Sequence, residues 1–187
     1  MTLHLRHNFI DNELCNLFAA YIEKNIDKFN TGPHKLYFTL TYGKDHYHLE
    51  SLHELTGIDE IKPKVLIIFD QILDFIYKNY NIDKTIYLAS FWMVKQKAGA
   101  KLLLHSDTDS GANPHMKYSA AIYLNDVVDG GEINFPHIQF SHQPKSGDFL
   151  IWPSSGQDYD HEVHDIMDNR YSILFFFTDD IEYKLKY

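Results

Sequence analysis

His105-Ser-Asp107, then a solitary His161, then Arg170-Tyr-Ser172 stand in that order in the second half of the chain, and the order decides how the chain is read. On a β-strand, residues i and i+2 face the same way, so His105 and Asp107 can reach one ion. His161 lies 54 residues beyond Asp107, enough for several intervening strands to bring it back alongside. Two imidazoles and one carboxylate form a facial ligand set for iron(II) that leaves positions open for a co-substrate and dioxygen. Arg170 comes nine residues after His161, at the head of the apolar run Ile173-Leu-Phe-Phe-Phe177. A side chain placed there points inward, and a buried guanidinium needs an anionic partner such as a carboxylate.

Rival assignments are weaker on geometry. The chain has 12 histidines, and His164 stands close to His161, but it is only six residues before Arg170. His161-Glu-Val-His164 is also one residue too short for the HExxH zinc helix. Asp109 competes with Asp107, yet on a strand it would lie about 13 Å from His105, too far to share an ion.

Several further segments carry a resemblance. Gly99-Ala-Lys-Leu-Leu-Leu-His-Ser-Asp107, Ser119-Ala-Ala-Ile-Tyr-Leu-Asn125, Gly130-Gly-Glu-Ile-Asn-Phe-Pro136, Pro144-Lys-Ser-Gly-Asp-Phe-Leu-Ile-Trp152 and His161-Glu-Val163 through Arg170-Tyr-Ser172 follow one another in order. From about Phe91 to Thr178 the chain resembles the iron(II)- and 2-oxoglutarate-dependent dioxygenases of the prolyl 4-hydroxylase type. The resemblance implies that His105, Asp107 and His161 bind Fe(II), and that Arg170 pairs with the distal carboxylate of 2-oxoglutarate. It also implies that Tyr123 donates its hydroxyl to that carboxylate. Ser172, two residues on from Arg170 and so on the same strand face, is placed to add a further hydrogen bond. Dioxygen is then the oxidant, with ascorbate as an accessory reductant. The implied reaction hydroxylates a C–H bond and releases succinate and carbon dioxide. A prolyl residue in a peptide or protein is the leading substrate, with a small molecule (a free amino acid or metabolite) as the alternative and a non-catalytic cupin-like metal-binding module as a further one. One departure is visible: many family members have a tyrosine a few residues before the glycine matching Gly99, where this chain has Lys95-Gln96-Lys97. The second arginine of the nucleic-acid dealkylases is also missing, its place being Phe175-Phe-Phe177.

Hydropathy patterning divides the chain into a helical N-terminal support over 1–84 and a β-rich core over 85–187, within a single domain. Asp11 is placed to cap a helix whose stripe is Leu14, Leu17, Phe18, Tyr21 and Ile22. A second helix opens near Pro63 and carries Val65, Ile68, Phe69, Ile72, Leu73, Ile76 and Tyr77. A strand is expected over 36–40, and the polar stretch 41–60 reads as a lid over the site, with Trp152 near its edge. Lys95, Lys97 and Lys101 alternate as a solvated strand face would, with a basic patch lining the mouth of the site as the alternative. From Thr85 onward, strands alternate with Gly, Pro and Asp turns. The expected fold is therefore α+β, mainly β: a double-stranded β-helix, or jelly roll, of about eight strands with the helices packed on one sheet.

Composition narrows the partners. Aromatic residues make up 15% of the chain and hydrophobic residues 44%, which excludes a disordered polymer. One cysteine, Cys15, excludes an intrachain disulfide framework and fits a reducing compartment, so a cytoplasmic location is expected. The formal net charge of −9 argues against nucleic acid as a partner. No apolar run reaches the roughly 20 residues a membrane span requires.

Overall fold

The computed structural model describes residues 2–28, 30–31, 37–43, 58–108 and 114–185. Eight strands follow one another from Tyr87 onward: β4 (Tyr87–Gln96), β5 (Leu102–His105), β6 (Met116–Tyr123), β7 (Ile133–Phe135), β8 (Phe140–His142), β9 (Phe149–Pro153), β10 (His161–Val163) and β11 (Arg170–Thr178). Three more precede them: β1 (His4–Arg6), β2 (Asn30–Thr31) and β3 (Tyr37–Gly43). All pairings are antiparallel. They form a seven-stranded sheet in the order β1-β9-β6-β11-β4-β3-β2 and a four-stranded sheet in the order β5-β10-β7-β8. This is the expected jelly roll, mainly β. The strand expected over 36–40 is present as β3, which with β2 extends one edge of the large sheet, whereas β1, at the other edge, was not expected. A three-residue strand such as β1 has no readable period; its partner, β9, lies some 145 residues away.

The period of two sorts the large sheet into two faces. Phe91 and Met93 of β4, Ile173, Phe175 and Phe177 of β11, and Phe149 and Ile151 of β9 turn outward. They meet α1 (Asn12–Lys24) and α2 (Lys62–Asn79), which cover that face. Phe69 of α2 stacks near Phe177 at 6.2 Å between ring centroids, and Phe75 meets Phe149 edge-on at 5.6 Å. Each such side chain, fully buried, contributes roughly 1.5–3 kcal/mol. The alternate residues Ala121, Tyr123, Leu150 and Trp152 turn inward and pack against Ile133, Phe135 and Val163 of the small sheet. Burial on both faces is why β11 reads as an almost continuous apolar run.

The helices form for local reasons. The Asp11 carboxylate accepts the Leu14 backbone N–H at 2.8 Å and caps α1. Pro63 sits in the first turn of α2, where its missing N–H costs nothing. One stripe position differs from expectation: Phe75 is buried while Tyr77 is 42% exposed. The buried stripe advances by three from Ile72, and Tyr77 instead accepts the Ile86 N–H at the approach to β4. No helix among the described residues is long and apolar enough to cross a membrane. The lid expected over 41–60 falls mostly on 44–57, which lie outside the described residues, as does Asp109.

Candidate metal centre and co-substrate pocket

His105 and His161 end up face to face because β5 and β10 are paired antiparallel with these two residues in register. Their rings lie 4.5 Å apart between centroids. Asp107 differs from expectation: β5 ends at His105, so the carboxylate comes from the turn just past the strand and not from its face. It still converges on the same point. Asp107 Oδ1 is 4.0 Å from His105 Nε2 and 3.9 Å from His161 Nε2, and all three donor atoms lie within 4.8 Å of one another.

Both imidazoles are set up for ligation. His105 Nδ1 faces the Leu103 carbonyl at 2.8 Å and His161 Nδ1 faces the Tyr159 carbonyl at 3.0 Å. A carbonyl only accepts, so each Nδ1 carries the proton and each Nε2 keeps a lone pair toward Asp107. Burial holds the His161 pKa below its ordinary value, opposed by Asp107 and reinforced by His105, so the ring is neutral. His164, the rival, lies elsewhere. It is bound by Glu132 at 2.7 Å and Glu162 at 3.4 Å on the exposed side of β10, and the Glu132 hydrogen bond raises its pKa. Two nitrogen donors and one carboxylate, with a neutral buried imidazole, fit a divalent iron site.

The three residues line a cavity of about 550 Å³ between the sheets. Trp92, Val94 and Gln96 of β4 and Arg170, Ser172, Leu174 and Phe176 of β11 line it too, each set alternating along its strand. Arg170 is only 5% exposed. It donates through Nη1 to Gln96 Oε1, its Nε has no hydrogen-bond partner, and no carboxylate among the described residues pairs with it. Tyr123 is fully buried, its ring 5.1 Å from the Arg170 guanidinium carbon, and its hydroxyl makes no well-directed hydrogen bond. Burial raises the Tyr123 pKa, with Arg170 pulling against it, so the phenol keeps its proton and can donate. A buried cation and a buried donor, both under-satisfied, face a space that a carboxylate would fill. Ser172 borders the same space, level with Tyr123 and Val94.

Gln96 was not singled out from the sequence, although its two-residue step from Val94 is a readable signal. Lys95 corrects an expectation: it is not solvated but buried against Glu23 and the Tyr171 ring on the helix side. Lys97 and Lys101 are exposed as expected. The Gly130-Gly131 pair has a backbone reason. At Gly130, φ is +64° and a Cβ would stand 1.9 Å from the Asp165 carbonyl oxygen. That close approach docks the turn beside the segment leading to Arg170, where Gly130 and Ile166 form an isolated bridge.

Residues 90–178 match the family model described as the 2OG-Fe(II) oxygenase superfamily, so the resemblance read from the motifs holds at the level of the superfamily. Among solved structures, the fold is similar to the viral collagen prolyl hydroxylase of Paramecium Bursaria Chlorella virus-1 in its 2OG complex. The TM-score is 0.72 at 13% identity, covering 96% of this chain and 97% of that one. A Pseudomonas putida prolyl-4-hydroxylase gives 0.69 at 18% identity, covering 95% and 92%. A Trichoplax adhaerens prolyl hydroxylase in complex with a hypoxia inducible factor peptide fragment gives 0.71 at 16%, covering 95% and 83%. No curated protein sequence matches the chain.

Proposed function

We propose that this protein, over the whole of 1–187, is an Fe(II)- and 2-oxoglutarate-dependent dioxygenase that hydroxylates a C–H bond, the leading substrate being a prolyl residue in a peptide. The observation that carries the reading is the pairing of an under-satisfied Arg170–Tyr123 corner with the His105–Asp107–His161 cluster in one cavity. A dicarboxylic keto acid has the chemistry for both ends: one carboxylate for the guanidinium, and a keto-acid group for the metal. When iron, 2-oxoglutarate and dioxygen are present, the centre supplies oxygen activation, so that substrate C–H becomes C–OH while 2-oxoglutarate leaves as succinate and carbon dioxide.

The chain's own residues do the rest. His105, Asp107 and His161 hold the ion with their Nε2 and Oδ1 atoms. Arg170 and Tyr123 fix the co-substrate, with Gln96 orienting the guanidinium and Ser172 adding a hydroxyl beside it. The wall of Trp92, Val94, Leu104, Leu174 and Phe176 keeps water from the reacting carbon. That wall also bears on substrate. Apart from His105, Asp107, His161 and Arg170, the cavity lining among the described residues carries no charged side chain. An uncharged aliphatic ring such as proline's suits it better than the ammonium and carboxylate of a free amino acid. Fold relatives that act on prolyl groups, one of them holding a peptide fragment, support the same choice.

The test is succinate release from the purified protein with Fe(II), 2-oxoglutarate and ascorbate, with and without proline-containing peptides, followed by mass spectrometry of the peptides. Peptide-stimulated succinate with a one-oxygen mass gain on proline is expected. Stimulation by a free metabolite alone would move the substrate to a small molecule. Absence of any 2-oxoglutarate turnover would reduce the protein to a metal-binding module.

A further inference from the structure

A hydrogen bond from the large sheet reaches the candidate metal ligands. Trp152, the inward residue near the end of β9, donates its indole N–H to Asp107 Oδ2 at 3.0 Å. The other oxygen, Oδ1, is the one that faces both histidine Nε2 atoms. The indole is itself held firmly: it is 3% exposed, with Phe135 edge-on at 5.5 Å and the His161 ring edge-on at 5.1 Å. Asp107, by contrast, sits in a turn beyond the end of its strand. Ser106 fastens that turn from the same direction, donating from Oγ to the Ser154 carbonyl at 3.2 Å.

We infer that Trp152 is a positioning residue for the metal centre: its N–H occupies Asp107 Oδ2, so that the carboxylate offers the ion Oδ1 alone. The inference rests on the ligand set proposed above. Its physical content is twofold. A carboxylate on a turn has rotational freedom that a strand residue lacks, and a charge-assisted hydrogen bond from a rigid indole removes it. A carboxylate with a free second oxygen can also chelate through both, filling a position the co-substrate or dioxygen needs. Sequence patterning places Trp152 near the edge of the expected lid; the geometry gives it a different role, directed at the ion through Asp107.

Two variants separate the hydrogen bond from ring packing. Trp152→Phe removes the donor and some volume. Replacement of Trp152 by benzothienylalanine keeps the bicyclic shape and substitutes sulfur for N–H. Co(II) serves as the probe, read by titration calorimetry and by its visible d–d absorption in the absence of oxygen. Hydrogen bonds behind metal ligands typically tune affinity by about 10–100-fold. Both variants are expected to bind Co(II) about tenfold more weakly than the parent, with a changed d–d spectrum and an unchanged metal-free Tm for the benzothienylalanine protein. Parent-like affinity and spectrum in that protein would overturn the inference, as would weakening confined to Trp152→Phe, since either would assign Trp152 to packing alone. His161→Ala is the separate control on the underlying ligand set. If it leaves Co(II) binding to the parent sequence intact, the metal centre itself is misplaced and this inference falls with it.

Discussion

Replacing Arg170 tests the co-substrate pocket most sharply, because it should affect the ligand-free and ligand-bound protein in opposite ways. The guanidinium is 5% exposed and has one neutral partner, Gln96, and no carboxylate among the described residues. In the ligand-free protein it is a buried cation whose desolvation is poorly compensated, so Arg170→Met should hold or raise the metal-free Tm. With co-substrate the sign reverses. A carboxylate left without its charge-assisted partner costs on the order of 3 kcal/mol, about a hundredfold in affinity. The shift can be read without turnover. At a 2-oxoglutarate concentration of about 100 Kd, binding stabilises the parent by about 2.7 kcal/mol. At the same concentration a hundredfold-weakened variant retains only about 0.4 kcal/mol. The assay is thermal unfolding with Co(II), with and without 2-oxoglutarate. A large co-substrate-dependent Tm rise is expected in the parent and a nearly absent one in Arg170→Met, with Arg170→Lys between them because it keeps the charge and loses the fork. An undiminished rise in Arg170→Met would show that another residue binds the distal carboxylate.

Other outcomes follow from the same geometry. Tyr123→Phe deletes a buried hydroxyl that makes no well-directed hydrogen bond, so it should leave the ligand-free protein at least as stable while weakening 2-oxoglutarate about tenfold, measured by calorimetry. Alanine at His105, Asp107 or His161 should abolish Fe(II)-dependent turnover, whereas His164→Ala, on the exposed side with Glu132 and Glu162, should retain most of it; the reverse pattern would exchange the two histidines. His142 should make stability depend on pH. Burial chiefly holds its pKa below 6.5, with His7 and Arg170 acting the same way and Asp148 opposing. A depressed histidine pKa means that the unfolded chain takes up the proton first, so this contribution is fully present above about pH 6.5 and is lost as the pH falls toward the folded value. Urea titrations between pH 7.5 and 5.5, a range chosen to bracket about 6.5, should show a shallower fall for His142→Gln than for the parent; equal slopes would remove His142 as the cause.

The features legible in the sequence were those that a single strand or helix decides by itself. The cap and stripe of α1, the Pro63 start and most of the stripe of α2, the strands between Tyr87 and Thr178, and the ordered His105, Asp107, His161 and Arg170 depend on spacing, and spacing is written in the chain. Spacing misleads where the local element ends early: the two-residue step puts Asp107 on a strand face, and the structure ends β5 at His105. What only the tertiary structure decided is which side chains meet across elements. Alternation puts Gln96 and Arg170 each on an inward face, but the register of β4 against β11 sets them opposite one another. Likewise, nothing local distinguishes the two oxygens of Asp107. They differ because β9 brings Trp152 to one of them and the pairing of β5 with β10 brings the two histidines to the other. A one-residue slip in either pairing would leave every local pattern intact and move those contacts to the opposite face of the sheet.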